Sequence, residues 1–208
     1  MSNPTLTICI PTVVGREAKF NMLYDHIREQ IREYGLGKKV EIIVEKDNKE
    51  MSIGAKRQKM YERAKGLYSV QIDDDDNVPF EFCKRVIEAI EAEQSDCIGY
   101  IEECHFDGRN VGNSLFSKDY PDWIENLNPP VVKNGHICVR VRTPFFKTPI
   151  KTEICLKVGV ANMRHGEDHE FSRRVLPFLK TETFIPEKMY LYGFVTEGNY
   201  WERFGIKR

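Results

Sequence analysis

The fold is decided by residues 53–76, which read IGAKRQKMYERAKGLYSVQIDDDD. The part from Ile53 to Lys65 is rich in Ala, Lys, Arg, Gln and Met, and it predicts a helix. The apolar part from Tyr68 to Ile72 predicts a buried strand. The four aspartates from Asp73 to Asp76 follow that strand, at the position where open α/β sheets bind their ligands. We therefore expect a carboxylate cluster at the ligand-binding edge of a sheet.

The residues before this stretch predict a strand, a helix and a second strand. Leu6 to Ile10 and Val40 to Val44 are short apolar runs, as in the buried strands of a parallel sheet. Apolar residues recur between them at spacings of three and four, on one helix face: Phe20, Leu23, Ile27 and Ile31. The expected fold is α/β, with a Rossmann-like, mostly parallel sheet flanked by helices.

The length of 208 residues, 41% of them hydrophobic, predicts one domain. We divide it into two halves, residues 1 to about 105 and about 106 to 208. We also expect a strand from Cys97 to Cys104, loops from Asp107 to Val132, and parts of two helices over Leu156–Val160 and Phe171–Leu176.

Composition leaves most partner classes open. The 31 basic and 32 acidic residues give a net charge of −1, which indicates neither a nucleic-acid nor a membrane partner. No segment approaches the roughly 20 apolar residues that span a bilayer, and no basic region precedes an apolar signal. The six cysteines form no Cys-x-x-Cys pair and predict reduced thiols. We expect a cytoplasmic protein.

The four adjacent carboxylates need a reason to coexist, because like charges repel one another. A hard cation such as Mg²⁺ or Mn²⁺ is one reason, since it prefers oxygen ligands and leaves positions open for phosphate oxygens. Along a continuing strand, Asp73 and Asp75 share a face and Asp74 and Asp76 do not. The alternative is a solvated acidic loop that begins the next helix.

Residues 53–76 resemble the core of the inverting family 2 glycosyltransferases, which have the GT-A fold. In that family a glycine-led helix with an Arg-Asn pair and a later Ala-x-Gly precedes a strand that ends in Asp-x-Asp-Asp. The matching residues here are Gly54, Arg57, Gln58, Ala64, Gly66, Asp73, Asp75 and Asp76, with Gln58 in place of asparagine.

The resemblance implies a nucleotide-sugar donor, with UDP-sugar favoured, held through Mn²⁺ or Mg²⁺. Asp75 would ligate the metal, Asp73 would contact the ribose or the metal, and Asp76 would support the metal site. We place Asp74 on the donor side as well. The first half, residues 1 to about 105, would then be the nucleotide-sugar-binding half, and residues about 106 to 208 the acceptor-binding half.

The same resemblance implies further donor contacts. Pro11 and Thr12 match the loop that contacts the nucleoside, and Asp47 matches the aspartate that binds the base. Arg57 would anchor the nucleotide, and its alternative role is that of a solvated arginine on a helix face.

The motif HGEDHEF, residues 165–171, supplies a candidate catalytic base. In family 2 enzymes a Glu-Asp pair opens a helix and the Asp is the base, which corresponds to Asp168 after Glu167. A helix N-terminus presents free N–H groups that keep a carboxylate ionised. The alternative is that both acids are ordinary first-turn residues.

The segment from Asn126 to Gly166 contains seven lysines and arginines and one acid, Glu153. This excess of positive charge predicts an anionic acceptor, which we expect Arg140, Arg142 and Lys151 to bind together with Glu167. Phage enzymes that glycosylate hydroxymethylated pyrimidines in DNA are one class that fits. A basic surface neutralised by acids elsewhere in the fold is the alternative.

The sequence therefore predicts a hexosyl- or pentosyltransferase. Three other functions stay open: transfer to a glycan or a lipid-linked acceptor, a nucleotidyltransferase that makes the sugar nucleotide, and a metal-dependent nucleic-acid-binding protein or nuclease.

Overall fold

The computed structural model describes residues 3–194, and a single sheet of nine strands runs through them. Strand β1 (Leu6–Val13) pairs in parallel with β2 (Val40–Asp47) on one side and with β3 (Tyr68–Gln71) on the other. The connections are helices α1 (Glu17–Glu33) and α2 (Ile53–Arg63). The predicted strand–helix–strand unit is confirmed.

The next helix, α3 (Phe82–Glu93), leads into β4 (Cys97–Phe106), which pairs in parallel with the last strand, β9 (Glu182–Phe194). The loops expected from Asp107 to Val132 are only partly present, because β5 (Arg109–Phe116) lies antiparallel to β4. The β5 sequence is polar and contains Gly, so cross-strand pairing outweighs its weak strand propensity.

The sheet has the order β2-β1-β3-β8-β4-β5-β7-β6, with β9 also paired to β4. The remaining elements are β6 (Val131–Lys133), β7 (His136–Arg142), β8 (Ile150–Lys151), α4 (Thr152–Val158), α5 (Glu167–Val175) and a short 3-10 helix (Leu176–Phe178). Both helices expected near the end of the chain are therefore confirmed.

The predicted apolar face of α1 lies on the sheet, with Leu23 and Ile27 fully buried against a core that includes Ile8 and Ile10 of β1. The α/β fold class is confirmed. Within residues 3–194 no helix combines the length and the apolar character needed to cross a bilayer. The division near residue 105 stays a prediction, and residues 195–208 of its second half lie outside the described chain.

The start of α2 packs closely against the segment that leads to α5. The backbone N–H of Gly54 donates to the Met163 carbonyl at 3.0 Å. A Cβ atom at position 54 would lie 1.9 Å from the Ala161 carbonyl oxygen. Only glycine fits here, and the contact places the helix that holds Arg57 beside the approach to Asp168.

Gly54→Ala should therefore destabilise the protein, by roughly 1–3 kcal/mol, because a backbone atom cannot move aside as a side chain can. Urea unfolding of both proteins measures this. Gly37→Ala is the matched control, since a Cβ there meets no atom within 4 Å, and it should change stability by less than about 1 kcal/mol. Equal effects of the two substitutions would show that the close approach does not constrain the fold.

Candidate active site

A cleft of about 250 Å³ opens where the carboxyl ends of β1 and β3 meet the start of α2. We call it the acidic cleft, and its lining residues are Pro11, Thr12, Val13, Arg16, Ile53, Lys56, Arg57, Asp73, Asp74 and Asp75. Six of the residues predicted on the donor side are thus brought together at one edge of the sheet. Asp47 does not line the cleft, but its carboxylate accepts a hydrogen bond from Lys56, which does.

The four aspartates divide into the two predicted pairs, but not through strand alternation, because β3 ends at Gln71 and the Asp76 N–H closes a turn on the Asp73 carbonyl at 3.0 Å. The side chains of Asp73 and Asp75 are 30% and 31% exposed, whereas those of Asp74 and Asp76 are 1% and 2% exposed. Only the first pair can present carboxylate oxygens to a bound ion.

Asp74 holds the wall of the acidic cleft together. It accepts hydrogen bonds from the Thr12 hydroxyl and from Arg16, both at 2.6 Å. Burial raises the pKa of Asp74 above its ordinary value, although both partners oppose the shift. The Thr12 hydroxyl is thus occupied by Asp74, and the Thr12 carbonyl accepts from Lys56 at 2.7 Å.

Arg57 is buried, so the alternative of a solvated helix-face arginine is wrong. Its guanidinium pairs with Asp73 at 3.0 Å and with Glu167 at 3.3 Å, and it donates to the Gln71 side chain at 3.0 Å. The guanidinium also lies 4.6 Å from the centre of the Phe146 ring. Arg57 therefore joins the acidic run to the first residue of α5.

The ion pair keeps Asp73 charged. Burial alone would raise the pKa of Asp73, but Arg57, Lys147 and Arg16 lower it further than burial raises it. The carboxylate is thus ionised at neutral pH. Glu167, which we expected on the acceptor side, is buried against Arg57 and acts as its partner instead.

A second pocket, of about 270 Å³, adjoins the first and shares Arg57 and Asp73 with it. We call it the aromatic pocket, and its lining residues are Arg57, Asp73, Glu102, Phe106, Arg142, Phe145, Phe146, Lys147, Asp168 and Tyr192. The proposed base Asp168 and the acidic run, nearly 100 residues apart in sequence, therefore meet across one shared wall.

Asp168 is the second residue of α5, as expected. Gly166 precedes the helix with a φ of 77°, a left-handed conformation that favours glycine, and this turn directs the chain into the helix. One oxygen of Asp168 accepts from the His169 backbone N–H at 2.8 Å. Asp168 also lines the aromatic pocket, so its carboxylate can reach a group bound there.

A buried ion cluster forms part of the wall of the aromatic pocket, and sequence reasoning missed it. Lys147 pairs with Asp76 at 3.0 Å and with Glu102 at 3.2 Å, and the Tyr190 hydroxyl donates to Asp76 at 2.8 Å. Burial alone would lower the pKa of Lys147, but the two carboxylates raise it above its ordinary value. Asp76 is occupied by these contacts and does not line the acidic cleft, so it is not placed to ligate a metal there.

Four of the seven cations of the positive segment pair with acids from outside it: Arg140, Arg142, Lys147 and Lys151. Arg140 is buried, donates to the Val111 carbonyl at 2.8 Å and pairs with Glu125 at 3.0 Å. Arg142 also pairs with Glu125, at 2.7 Å, but it lines the aromatic pocket and lies 4.4 Å from the centre of the Trp123 ring. Of the two arginines predicted to bind an acceptor, only Arg142 lies where it can do so.

Lys151 lies far from Asp168. It pairs in register with Tyr68, the first residue of β3, at the end of that strand opposite Asp73. Its ammonium group pairs with Asp96 at 3.0 Å. The prediction that Lys151 binds the acceptor is therefore wrong. It came from a count of charges between Asn126 and Gly166, which does not include Asp96.

The described residues contain no group of three or more His, Cys, Asp and Glu side chains arranged to hold a metal ion. Asp73 and Asp75 nevertheless fit a divalent cation of the kind that takes most of its ligands from water and phosphate. Mg²⁺ and Mn²⁺ bind in this way with one or two protein carboxylates. Asp73 and Asp75 are the residues that would hold such an ion.

No protein-family model and no curated protein matches the chain. Some crystal structures do match it in fold. Two of them, S. aureus TarS 1-349 alone and in complex with UDP-GlcNAc, each have a TM-score of 0.61 at 14% identity. The matches cover 91% and 95% of this chain and 60% of TarS 1-349. A longer TarS structure has a TM-score of 0.60 at 14% identity. That match covers 96% of this chain and 38% of the TarS chain.

The likeness shows the fold, and with it the GT-A type of α/β architecture that the sequence predicts. This chain spans 60% or less of the length of the TarS structures that it matches.

Lys147→Met should destabilise the protein by about 3–5 kcal/mol, because it leaves Asp76 and Glu102 buried without their cation. Urea unfolding measures the loss. Lys39→Met removes an exposed pair with Glu91 and should cost about 1 kcal/mol or less. If Lys147→Met cost no more than this control, the buried cluster would not contribute to stability.

Proposed function

We propose that the protein is an inverting glycosyltransferase that moves a sugar from a nucleotide diphosphate sugar to an acceptor hydroxyl with the help of Mn²⁺ or Mg²⁺. The observation that carries the proposal is the pair of pockets with a common wall. One pocket has the exposed carboxylates Asp73 and Asp75, and the other has Asp168. TarS, which was crystallised with UDP and with UDP-GlcNAc, supports the donor class and favours a UDP-sugar.

The acidic cleft would hold the donor. Asp73 and Asp75 would bind the cation, which neutralises charge on the departing diphosphate. Pro11 and Thr12 would contact the nucleoside through backbone and ring atoms, since the Thr12 hydroxyl is already bonded to Asp74. Arg57 would keep Asp73 ionised and in place. Asp47 would contribute by orienting Lys56 at the back of the cleft.

The aromatic pocket would hold the acceptor. Asp168 would accept the proton of the acceptor hydroxyl while that oxygen forms its bond to the anomeric carbon. The bond from the same carbon to the diphosphate oxygen breaks, and the electron pair leaves with the diphosphate. A single displacement of this kind inverts the configuration at that carbon.

The acceptor is expected to carry a ring. Phe145, Phe146 and Tyr192 give the pocket apolar faces on which a sugar or a base can stack, and Arg142 adds a cation beside them. An anionic acceptor, including hydroxymethylated pyrimidine in DNA, would bind through Arg142. Incubation with hydroxymethylated DNA and with a soluble glycan distinguishes these acceptors, because only the correct one takes up labelled sugar.

The donor and the metal are tested by thermal unfolding. UDP and UDP-sugars should raise the melting temperature in the presence of Mn²⁺, and EDTA should remove this effect. Asp75→Ala should weaken Mn²⁺-dependent nucleotide binding by at least about tenfold. Loss of a residue that only hydrogen-bonds to a metal ligand already lowers metal affinity by about that factor, and Asp75 is proposed as a ligand itself.

Asp119→Ala is the matched control, because Asp119 is exposed and paired with Lys118 outside both pockets. It should leave nucleotide binding unchanged. Stabilisation by UDP that persists in EDTA would contradict the metal assignment. The absence of stabilisation by every nucleotide sugar would contradict the donor class.

Asp168→Asn should lower the transfer rate by roughly 100- to 10,000-fold with no change in nucleotide affinity, because the amide cannot take the proton. Release of nucleotide diphosphate and calorimetric binding measure the two effects separately. Glu170→Gln is the control on the same helix, since Glu170 pairs with Arg174 at 2.8 Å away from both pockets. Full activity in Asp168→Asn would exclude Asp168 as the base.

A further inference from the structure

We propose that Arg16 changes partner when the donor binds: it leaves Asp75 when a divalent cation takes that carboxylate, and it then binds the diphosphate. The proposal rests on the proposed function for the identity of the donor. Its first half, the exchange of Arg16 for a cation at Asp75, is independent of which nucleotide binds.

The contacts of Arg16 place it in the position where a metal ion would compete with it. Arg16 lies directly before α1 and lines the acidic cleft. One guanidinium nitrogen lies 2.6 Å from Asp74, and another lies 3.0 Å from Asp75. Among the residues that the structure describes, Arg16 is the only cation within ion-pair distance of Asp75. A divalent ion on Asp75 would therefore meet a like charge at contact distance.

The side chain of Arg16 can move, in contrast to that of Arg57. Arg57 is buried and is held by two carboxylates, the Gln71 side chain and the Phe146 ring. Arg16 is 43% exposed and follows Gly15 in a loop. The exchange can leave the contact with Asp74 in place, because a different guanidinium nitrogen makes it, and buried Asp74 also keeps its hydrogen bond from Thr12.

The charges of the acidic cleft explain why the metal and the nucleotide should depend on each other. Its lining has three cations and three carboxylates: Arg16, Lys56 and Arg57 with Asp73, Asp74 and Asp75. A divalent cation alone adds positive charge beside Arg16, and a diphosphate alone adds negative charge beside the aspartates. Together they offset each other, and the guanidinium nitrogen that leaves Asp75 becomes free to donate a charge-assisted hydrogen bond to phosphate.

Arg16→Met tests the proposal by calorimetry with two probes, Mn²⁺ alone and UDP at saturating Mn²⁺. Affinity for Mn²⁺ alone should rise by roughly two- to fivefold, the effect of removing one partly exposed ion pair. Affinity for UDP with Mn²⁺ should fall by roughly tenfold or more, the effect of losing a charge-assisted hydrogen bond. A merely structural role for Arg16 would weaken both.

Arg63→Met is the matched control, because Arg63 is 48% exposed and pairs with Glu45 outside the cleft. It should change neither affinity. In the Asp75→Asn background, Arg16→Met should no longer increase Mn²⁺ affinity, because the competing pair is already gone. Circular dichroism of each variant shows whether it is folded. Arg16→Lys keeps the positive charge and should therefore keep most of the UDP affinity.

Unchanged or weaker Mn²⁺ affinity in Arg16→Met would overturn the proposed exchange, and unchanged UDP affinity would overturn the contact with the diphosphate. A wild-type protein that binds Mn²⁺ but no nucleotide would contradict the proposed function. In that case the Mn²⁺ affinities of the wild type and of Arg16→Met would still show whether Arg16 and the cation compete for Asp75.

Discussion

The buried guanidinium of Arg57 is the interaction on which the rest of the site depends. A buried charge is costly unless it is paired, so its position fixes the positions of its partners. Those partners are Asp73, at the end of β3, and Glu167, at the start of α5. The planar guanidinium can contact both carboxylates at once, whereas the point charge of a lysine could not keep the same geometry. One side chain thus sets the distance between the carboxylate proposed for the metal and the proposed base, Asp168.

The same interaction changes the explanation of the acidic run. Four adjacent carboxylates suggested a bound metal as the reason for their coexistence, but each of them also has a cation within the protein. Arg57 pairs with Asp73, Arg16 with Asp74 and Asp75, and Lys147 with Asp76. The run is therefore stable without an ion. This arrangement leaves Asp73 and Asp75 with the exposure that a cation would need.

The parts of the fold that depend on neighbours in sequence could be predicted. The first strands and the apolar face of α1 follow from local spacing, and the place of Asp168 at the start of α5 follows from the family resemblance of the motif HGEDHEF. The parts that depend on distant partners could not. Lys147 meets Glu102 from 45 residues away, and Lys151 meets Asp96 from 55 residues away, so a count of charges along the chain misjudged both. Strand β5 was missed because its partners, β4 and β7, supply what its own sequence lacks.

The common wall between the two pockets has a consequence for side reactions. A donor in the acidic cleft would present its reactive carbon toward the aromatic pocket, where water enters when no acceptor is bound. Asp168 would deprotonate water as readily as a sugar hydroxyl, and the sugar would be lost to hydrolysis. The faces of Phe145, Phe146 and Tyr192 would therefore do more than bind a ring, since an acceptor stacked on them would displace water from the pocket that Asp168 lines. The fraction of donor that reaches an acceptor would then depend on how fully the bound acceptor fills this pocket.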